Sequence, residues 1–292
     1  MIDVSIIFVN YKTKDLTINA IKSVKEKTKN LDYEIIVVDN NSQDGSIEEI
    51  EKTFQDINII KNHDNSGFGS ANNIAIKNAK GKYVFCLNTD TLLVNNAIKI
   101  MFDFMEQPQN SNVAVCGGYL TDINNIPIPC GGNFPSIIEI LWKLGLKNIF
   151  PKIYNKYSLI LNSDYVSKIQ NVDYISGADI FIRKSSLDIV GLFDENIFMY
   201  FEETDLCKRI KNMGFDIKFV NNAKIIHLEG KSIKNTLQKL KWSKCSEFYY
   251  FRKHHENQVL IIKILYSFIY FISGYILKNK NSKDLFDYIK QF

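Results

Sequence analysis

Apolar runs that stop on polar residues set the rhythm of the first third of the chain. Residues 4–9 form a run of the kind buried on both faces of a parallel sheet, and it ends at Asn10-Tyr11. From Asp15 the apolar positions Leu16, Ala20, Ile21 and Val24 recur at helical spacing, predicting a crossover helix. A second apolar run at 34–38 gives way to the turn-rich segment 39–46, whose Ser and Asp residues suit the start of a helix over 47–54. A short strand at 57–61, a polar loop at 65–69 and a helix through Ala71, Ile74, Ala75 and Ala79 follow, stopped at Lys80-Gly81. The run Tyr83-Val84-Phe85-Cys86-Leu87 then reads as a fourth strand. Three strand–helix units feeding a fourth strand predict an α/β fold: a doubly wound, mostly parallel sheet with right-handed crossovers and helices on both faces.

The periodicity is less regular beyond that point. A helix over 97–105 and a strand at 113–116 precede a stretch, 117–170, expected to be irregular; all five prolines lie between 108 and 151. Order resumes with a strand at 179–182, a short helix at 185–190, and a helix carrying Leu206, Ile210 and Met213 that Gly214 closes. Residues 215–220 read as an edge-like strand and 224–226 as another short strand ending at His227. The tail differs in kind: a basic, aromatic-rich helix over 237–255, a nearly all-apolar stretch at 259–277, and a polar end with a final amphipathic piece. This divides the chain into an α/β domain, 1–232, with halves at 1–116 and 117–232, and a helical appendage, 233–292.

Charge sharpens the reading of the tail. The 292 residues carry a formal net charge of +4, yet residues 228–292 hold twelve Lys/Arg against five Asp/Glu, which leaves the remainder acidic. Such a tail suits nucleic acid or an anionic membrane surface, and the adjoining apolar stretch favours the membrane, with no nucleic-acid partner expected. Nineteen residues, 259–277, interrupted by Lys263, Ser267, Ser273 and Gly274, are marginal for a span that needs about 20. An in-plane or re-entrant anchor over 237–280, a helix pair packed on the α/β domain, and a homodimer interface all remain open. Five cysteines without C-x-x-C spacing, and a first strand that starts at Val4 without a leader-like run, predict a reduced chain in the cytoplasm, peripheral to the cell membrane at its cytoplasmic face.

The chemistry sits where strands end. Asp90 follows Leu87-Asn88-Thr89 at a strand's carboxyl end, where α/β sheets bring a phosphate-bearing ligand and its cation together. Asp39 sits at a second such end and reads either as a ligand contact or as a helix cap, although Asp44 or Ser46 is better placed for capping. Gly67 and Gly69 fit a close backbone approach or a plain turn. Glu202, Glu203 and Asp205 are either working acids or a first turn that complements a helix dipole.

Taken in order, 4–11, Val38-Asp39-Asn40-Asn41-Ser42-x-Asp44, Asn65-x-Gly67-Phe68, Asn88-x-Asp90, Gly177-Ala178, Phe193-Asp194-Glu195, Met199-Tyr200-Phe201-Glu202-Glu203-x-Asp205-Leu206-Cys207 and His227 resemble a family-2 glycosyltransferase of the GT-A fold, in its rhamnosyltransferase-like branch. The resemblance implies a nucleotide-diphosphate sugar donor, a glycan or polyprenyl-linked acceptor, and Mg²⁺ or Mn²⁺ held by Asp90 and His227. It implies donor contacts at Tyr11, Asp39, Gly67, Asn73, Asn88 and Lys231, and an acceptor side at Gly177, Ala178 and Asp179. Inverting transfer needs a base for the acceptor hydroxyl, matched by Glu203, with Glu202 as the other choice and Asp205 beside them. Asn88 stands where the family often has Asp, which makes Asp90 more critical. Rhamnose from dTDP-rhamnose is the donor that the resemblance implies; a hexosyl- or galactofuranosyltransferase, a sugar nucleotidyltransferase and a non-catalytic membrane-surface scaffold are the alternatives. Against the nucleotidyltransferase, the place after the first strand holds Asn10-Tyr11-Lys12-Thr13 rather than a Gly-rich, basic loop.

Overall fold

Strand β1 (Val4–Asn10) is interior, and the first half of the sheet is laid out around it. In the computed structural model, which describes residues 2–142, 147–152, 168–228 and 236–292, β1 pairs in parallel with β2 (Tyr33–Asp39) on one side and β4 (Tyr83–Leu87) on the other. β3 (Asn58–Lys61) extends the sheet beyond β2, with α1 (Lys14–Lys27), α2 (Ser46–Thr53) and α3 (Phe68–Asn78) as the connections. The chain therefore steps away from β1 on one side and returns on the other. That reversal is a topological switch point, and ligands of open α/β sheets bind outside the carboxyl ends of the strands at such a point, here β1 and β4.

The second half is mixed. β5 (Thr91–Leu93), α4 (Ala97–Glu106), β6 (Val113–Thr121) and three two-residue strands, β7 (Gly131–Gly132), β8 (Gln170–Asn171) and β9 (Tyr174–Ile175), lead to β10 (Asp179–Arg183). β10 lies between β4 and β6, antiparallel to both. Among the described residues the main sheet runs β3-β2-β1-β4-β10-β6-β11-β5, with β8 also on β11 and β7–β9 apart. Helices α5 (Lys184–Val190) and α6 (Glu202–Asn212) precede β11 (Asp216–His227).

β11 corrects one expectation. The edge-like strand at 215–220 and the short strand at 224–226 are one twelve-residue strand lying inside the sheet, parallel to β6 and capped by β5. Its polar interruption is a register shift between Phe219 and Lys224, and Asn95 satisfies the freed backbone there: its Nδ2 donates to Asn222 O at 2.8 Å and its Oδ1 accepts from Lys224 N at 3.0 Å. β6 likewise runs to Thr121, past the expected end at Cys116. Gly118 allows it, because a Cβ there would stand 2.5 Å from Ala223 O of the neighbouring strand.

The chain divides into two units: Met1–Phe134, Ser158–Asn196 and Glu202–Ser232 carry the sheet, and Pro135–Tyr157, Ile197–Phe201 and Ile233–Phe292 form a helical unit. The helical unit thus takes in two earlier segments besides the expected appendage from 233. Its helices are α7 (Thr236–His254), α8 (Val259–Phe271), extended by a π-helical turn over Ile272–Ile276, and α9 (Lys280–Ile289). Phe248, Tyr250, Phe251, Ile262, Tyr266 and Ile289 make its core. Buried Glu247 is satisfied within it by Lys244 Nζ at 2.6 Å and Tyr266 OH at 2.9 Å. Cys86, Cys116, Cys130 and Cys207 are free and buried, and burial raises each thiol's pKa; Cys245 is free and exposed.

Candidate active site

At the mouth of β1, small polar side chains hold one another. Asp39, paired with Asn10 across β1 and β2, accepts from Asn10 Nδ2 at 2.6 Å and from Ser42 Oγ at 2.5 Å through Oδ1, and from Ser42 N at 3.0 Å through Oδ2. Asn10 Oδ1 in turn accepts from Thr13 and Thr17. The carboxylate is therefore occupied in shaping the loops after β1 and β2. It does not cap α2, whose first N–H groups include Ser46 N on Asp44 Oδ1 at 3.1 Å. Tyr11, next to this network, is exposed, with Lys12 Nζ 5.4 Å from its ring centroid.

β4 delivers the second piece. Asn88 N donates to Ala178 O at 2.9 Å, and Thr91 folds back on Asn88 O through Oγ1 at 2.7 Å, a tight turn that carries Asp90. Thr89 Oγ1 reaches Thr13 Oγ1 at 3.2 Å, so the ends of β1 and β4 are tied across the switch point. Leu228 N donates to Asp90 O at 2.8 Å, and His227 Nε2 lies 3.1 Å from Asp90 Oδ1. Both side chains are largely buried. Among the described residues no cluster of three or more His, Cys, Asp or Glu surrounds this pair. One carboxylate and one imidazole are few donors, and a divalent cation held there would draw its remaining ligands from phosphate and water.

The third piece enters through a strained turn. Tyr200 and Phe201 both sit in the left-handed region, with φ of 68° and 70°, immediately before α6 begins at Glu202. Glu203 is half-buried, accepts from Thr204 Oγ1 at 3.2 Å, and lies beside Gly177, where a Cβ would stand 3.7 Å from Glu203 Oε2. Gly177 adjoins the residue that receives Asn88 N, so two backbone steps connect the Asp90 turn to Glu203. Glu202 is buried, and its Oε2 has no hydrogen-bond partner among the described residues. Burial, and then the charge of Glu203, push the Glu202 carboxyl well above the usual carboxylate range; burial also raises Glu203.

Other expected site residues have different neighbours. Asp205 is fully buried and paired with Arg209 Nε at 2.9 Å, which itself grips Val190 O and Leu192 O at 2.6 Å, so it fixes α6 rather than meeting a substrate. Asp179 does not line an acceptor surface: it is fully buried, accepts from Gly118 N, and its burial raises its pKa well above normal. Asn73 is spent on Phe193, donating to its O at 2.9 Å and accepting from its N at 3.0 Å, besides a bond to Glu195. Gly67 has φ 89° and its O accepts from Asn40 Nδ2 at 3.1 Å. Ala178 is buried, Asn88 partly so, and Lys231 lies outside the described residues. Asn10, Ser42, Thr13 and Thr89 belong to the site as well. Asn10 and Ser42 stand within the segments that carry the family resemblance, whereas Thr13 and Thr89 show in the sequence only as small polar residues shortly after apolar runs.

Residues 5–145 match the sequence model of the family described as "Glycosyl transferase family 2". The chain carries a family-2 glycosyltransferase domain. The chain is 22% identical over 210 residues to the N-acetylglucosaminyl-diphospho-decaprenol L-rhamnosyltransferase of Mycobacterium tuberculosis, covering 68% of this chain and 67% of that one. In fold it is similar to the mannosyltransferase PcManGT from Pyrobaculum calidifontis in complex with GDP-Man and Mn²⁺, with TM-score 0.59 and 15% identity over 86% of this chain and 63% of the other. It is also similar to S. aureus TarS 1-349 in complex with UDP, with TM-score 0.57 and 17% identity over 96% and 76%. The sheet and its surrounding helices are those of the GT-A fold.

Proposed function

We propose that this glycosyltransferase is an inverting, divalent-metal-dependent enzyme. In this reading it moves a sugar from a nucleotide-diphosphate donor to a lipid-linked or growing glycan acceptor at the cytoplasmic face of a membrane. The observation that carries the reading is the Asp90–His227 pair at the mouth of the switch point, joined through Ala178 and Gly177 to Glu203. When bound by Asp90 and His227, Mg²⁺ or Mn²⁺ would supply the positive charge that neutralises the donor pyrophosphate. Asn88 adds a neutral polar group to that turn, and Lys231 adds a charge from the sequence that follows β11.

Tyr11 offers its exposed ring to the base by stacking, while Asp39, Asn10 and Ser42 hold the loop beneath it and Gly67 lets the backbone come close. Glu203 takes the proton from the acceptor hydroxyl as that oxygen attacks the anomeric carbon and the nucleoside diphosphate leaves. Burial pushes the Glu202 carboxyl up, which leaves Glu203 as the single base and favours one displacement with inversion. Gly177 leaves room for the acceptor beside Glu203.

Rhamnose from dTDP-rhamnose is the first donor to try, because the M. tuberculosis relative is named a rhamnosyltransferase; another hexose or galactofuranose is the alternative. The test is turnover of a panel of dTDP-, UDP- and GDP-sugars with Mg²⁺ or Mn²⁺, followed by stereochemical analysis of the product. Turnover of one donor with inversion supports the proposal. No turnover of any, with nucleoside diphosphates failing to bind, favours the scaffold reading.

A further inference from the structure

Helix α8 has two apolar faces, and among the described residues only one is used inside its unit. Ile262 and Tyr266 are buried, and Val259, Leu265, Ile269 and Tyr270 pack with them against Phe248, Phe251 and Ile289. On the opposite side Leu260, Ile261, Ile264, Phe268, Phe271 and Tyr275 are exposed, with Leu260 at 67% and Phe268 at 66%. At about 100° per residue these six fall within an arc of about 100°, a continuous stripe along the helix. Ile276 and Leu277, also exposed, carry it to the tip of the α8–α9 hairpin.

Cations gather where the stripe ends. Between Glu256 and Asp284 there are four lysines, Lys263, Lys278, Lys280 and Lys283, and no acidic residue. Lys278, Lys280 and Lys283 are exposed, and Lys283 Nζ lies 5.3 Å from the ring centroid of Tyr275. An apolar stripe joined to a patch of one sign matches a lipid surface, whose hydrocarbon takes the stripe while anionic headgroups meet the lysines.

Glu256–Ile276 is long and apolar enough to cross a bilayer, by length and composition. Its other commitments argue against a span. Tyr266 donates to buried Glu247, Lys263 Nζ donates to Lys290 O at 3.2 Å, and Ser273 and Ser282 hydroxyls meet at 2.8 Å. Gly274 lies so close to α9 that a Cβ would stand 2.7 Å from Lys283 N. Crossing would tear these polar contacts out of the unit and strand them in hydrocarbon.

We infer that α8 is a monotopic anchor, lying in the plane of an anionic bilayer with the Leu260–Ile264–Phe268 stripe inserted and Lys278, Lys280 and Lys283 on the headgroups. This deepens the proposed function, and rests on it only in taking the acceptor to be lipid-linked. The full chain is sedimented with phosphatidylcholine vesicles, with and without phosphatidylglycerol. Wild type should pellet with the anionic vesicles and return to the supernatant under alkaline carbonate. Leu260→Ser/Ile264→Ser/Phe268→Ser should weaken binding to them at least about tenfold. Lys278→Gln, Lys280→Gln and Lys283→Gln should each weaken it by about fivefold on phosphatidylglycerol and little on pure phosphatidylcholine.

Donor hydrolysis in solution should be unchanged in all these variants. Wild type that binds the vesicles yet hydrolyses no donor would instead overturn the glycosyltransferase reading alone. Wild type that ignores vesicles, that resists carbonate, or that forms a dimer which the triple Ser variant dissolves, would overturn the anchor.

Discussion

His227 Nε2 stands 3.1 Å from Asp90 Oδ1, and the next backbone N–H, Leu228, donates to Asp90 O. The last residue of β11 is thereby fastened to the turn after β4, although 137 positions separate the two side chains. The pair holds the candidate cation site in register from both ends.

Asp90→Ala should remove turnover and Mn²⁺ binding while the far-ultraviolet circular dichroism stays that of the wild type. His227→Gln keeps a polar side chain near Asp90 and should lower Mn²⁺ affinity by about 10- to 100-fold, read by metal titration.

Glu203→Gln should cut kcat by about 10²- to 10⁴-fold with donor KM unchanged, because it removes a proton acceptor and no donor contact. Glu202→Gln should keep most of kcat, since Glu202 is buried and Glu203 is the carboxylate that lies beside Gly177. Steady-state kinetics on the two variants separate the roles that the adjacent acids leave open in the sequence.

The same assignment fixes the sign of the pH dependence. Burial raises Glu203 above its ordinary value, so its proton is retained to a higher pH than on an exposed glutamate. A base must be deprotonated to act. The acid limb of kcat/KM should therefore lie above the ordinary carboxylate range, with activity lost as the pH falls through it, and Glu203→Gln should abolish that limb.

Asn73 ties α3 to the turn at 193–195 through both backbone groups of Phe193. Asn73→Ala leaves a buried N–H and C=O unpaired, at about 1–3 kcal/mol each. Denaturant unfolding should show a loss of about 2–5 kcal/mol with little change in donor KM, a result that separates a structural Asn73 from one that touches the donor.

Much of the architecture is written in local pattern. Residues 83–87 read as a buried strand from their apolar run alone and form β4 with the same limits, because a strand buried on both faces has no polar face to interrupt it. β11 was less legible, since Asn221 and Asn222 break its pattern and only the partner Asn95, far away in sequence, makes the bulge stable. The site divides in the same way. Asp90 and His227 could be picked out as strand-end residues, and their meeting is a tertiary fact. Asp39, Asp179 and Asp205 look alike as acids at element ends. What separates them is the partner each finds: Asn10 and Ser42 for the first, Gly118 N for the second, Arg209 for the third. Ser42 and Arg209 stand three and four positions on and are legible as local partners, whereas Asn10 and Gly118, 29 and 61 positions away, are brought in by the fold.

The most direct measurement is calorimetric titration of dTDP, UDP and GDP, each with and without Mn²⁺, into wild type, Asp90→Asn and Glu203→Gln. The account predicts that wild type and Glu203→Gln bind one nucleotide alike, with Mn²⁺ strengthening both, while Asp90→Asn loses the Mn²⁺-dependent gain. Equal Mn²⁺-dependent binding in Asp90→Asn and wild type would contradict it.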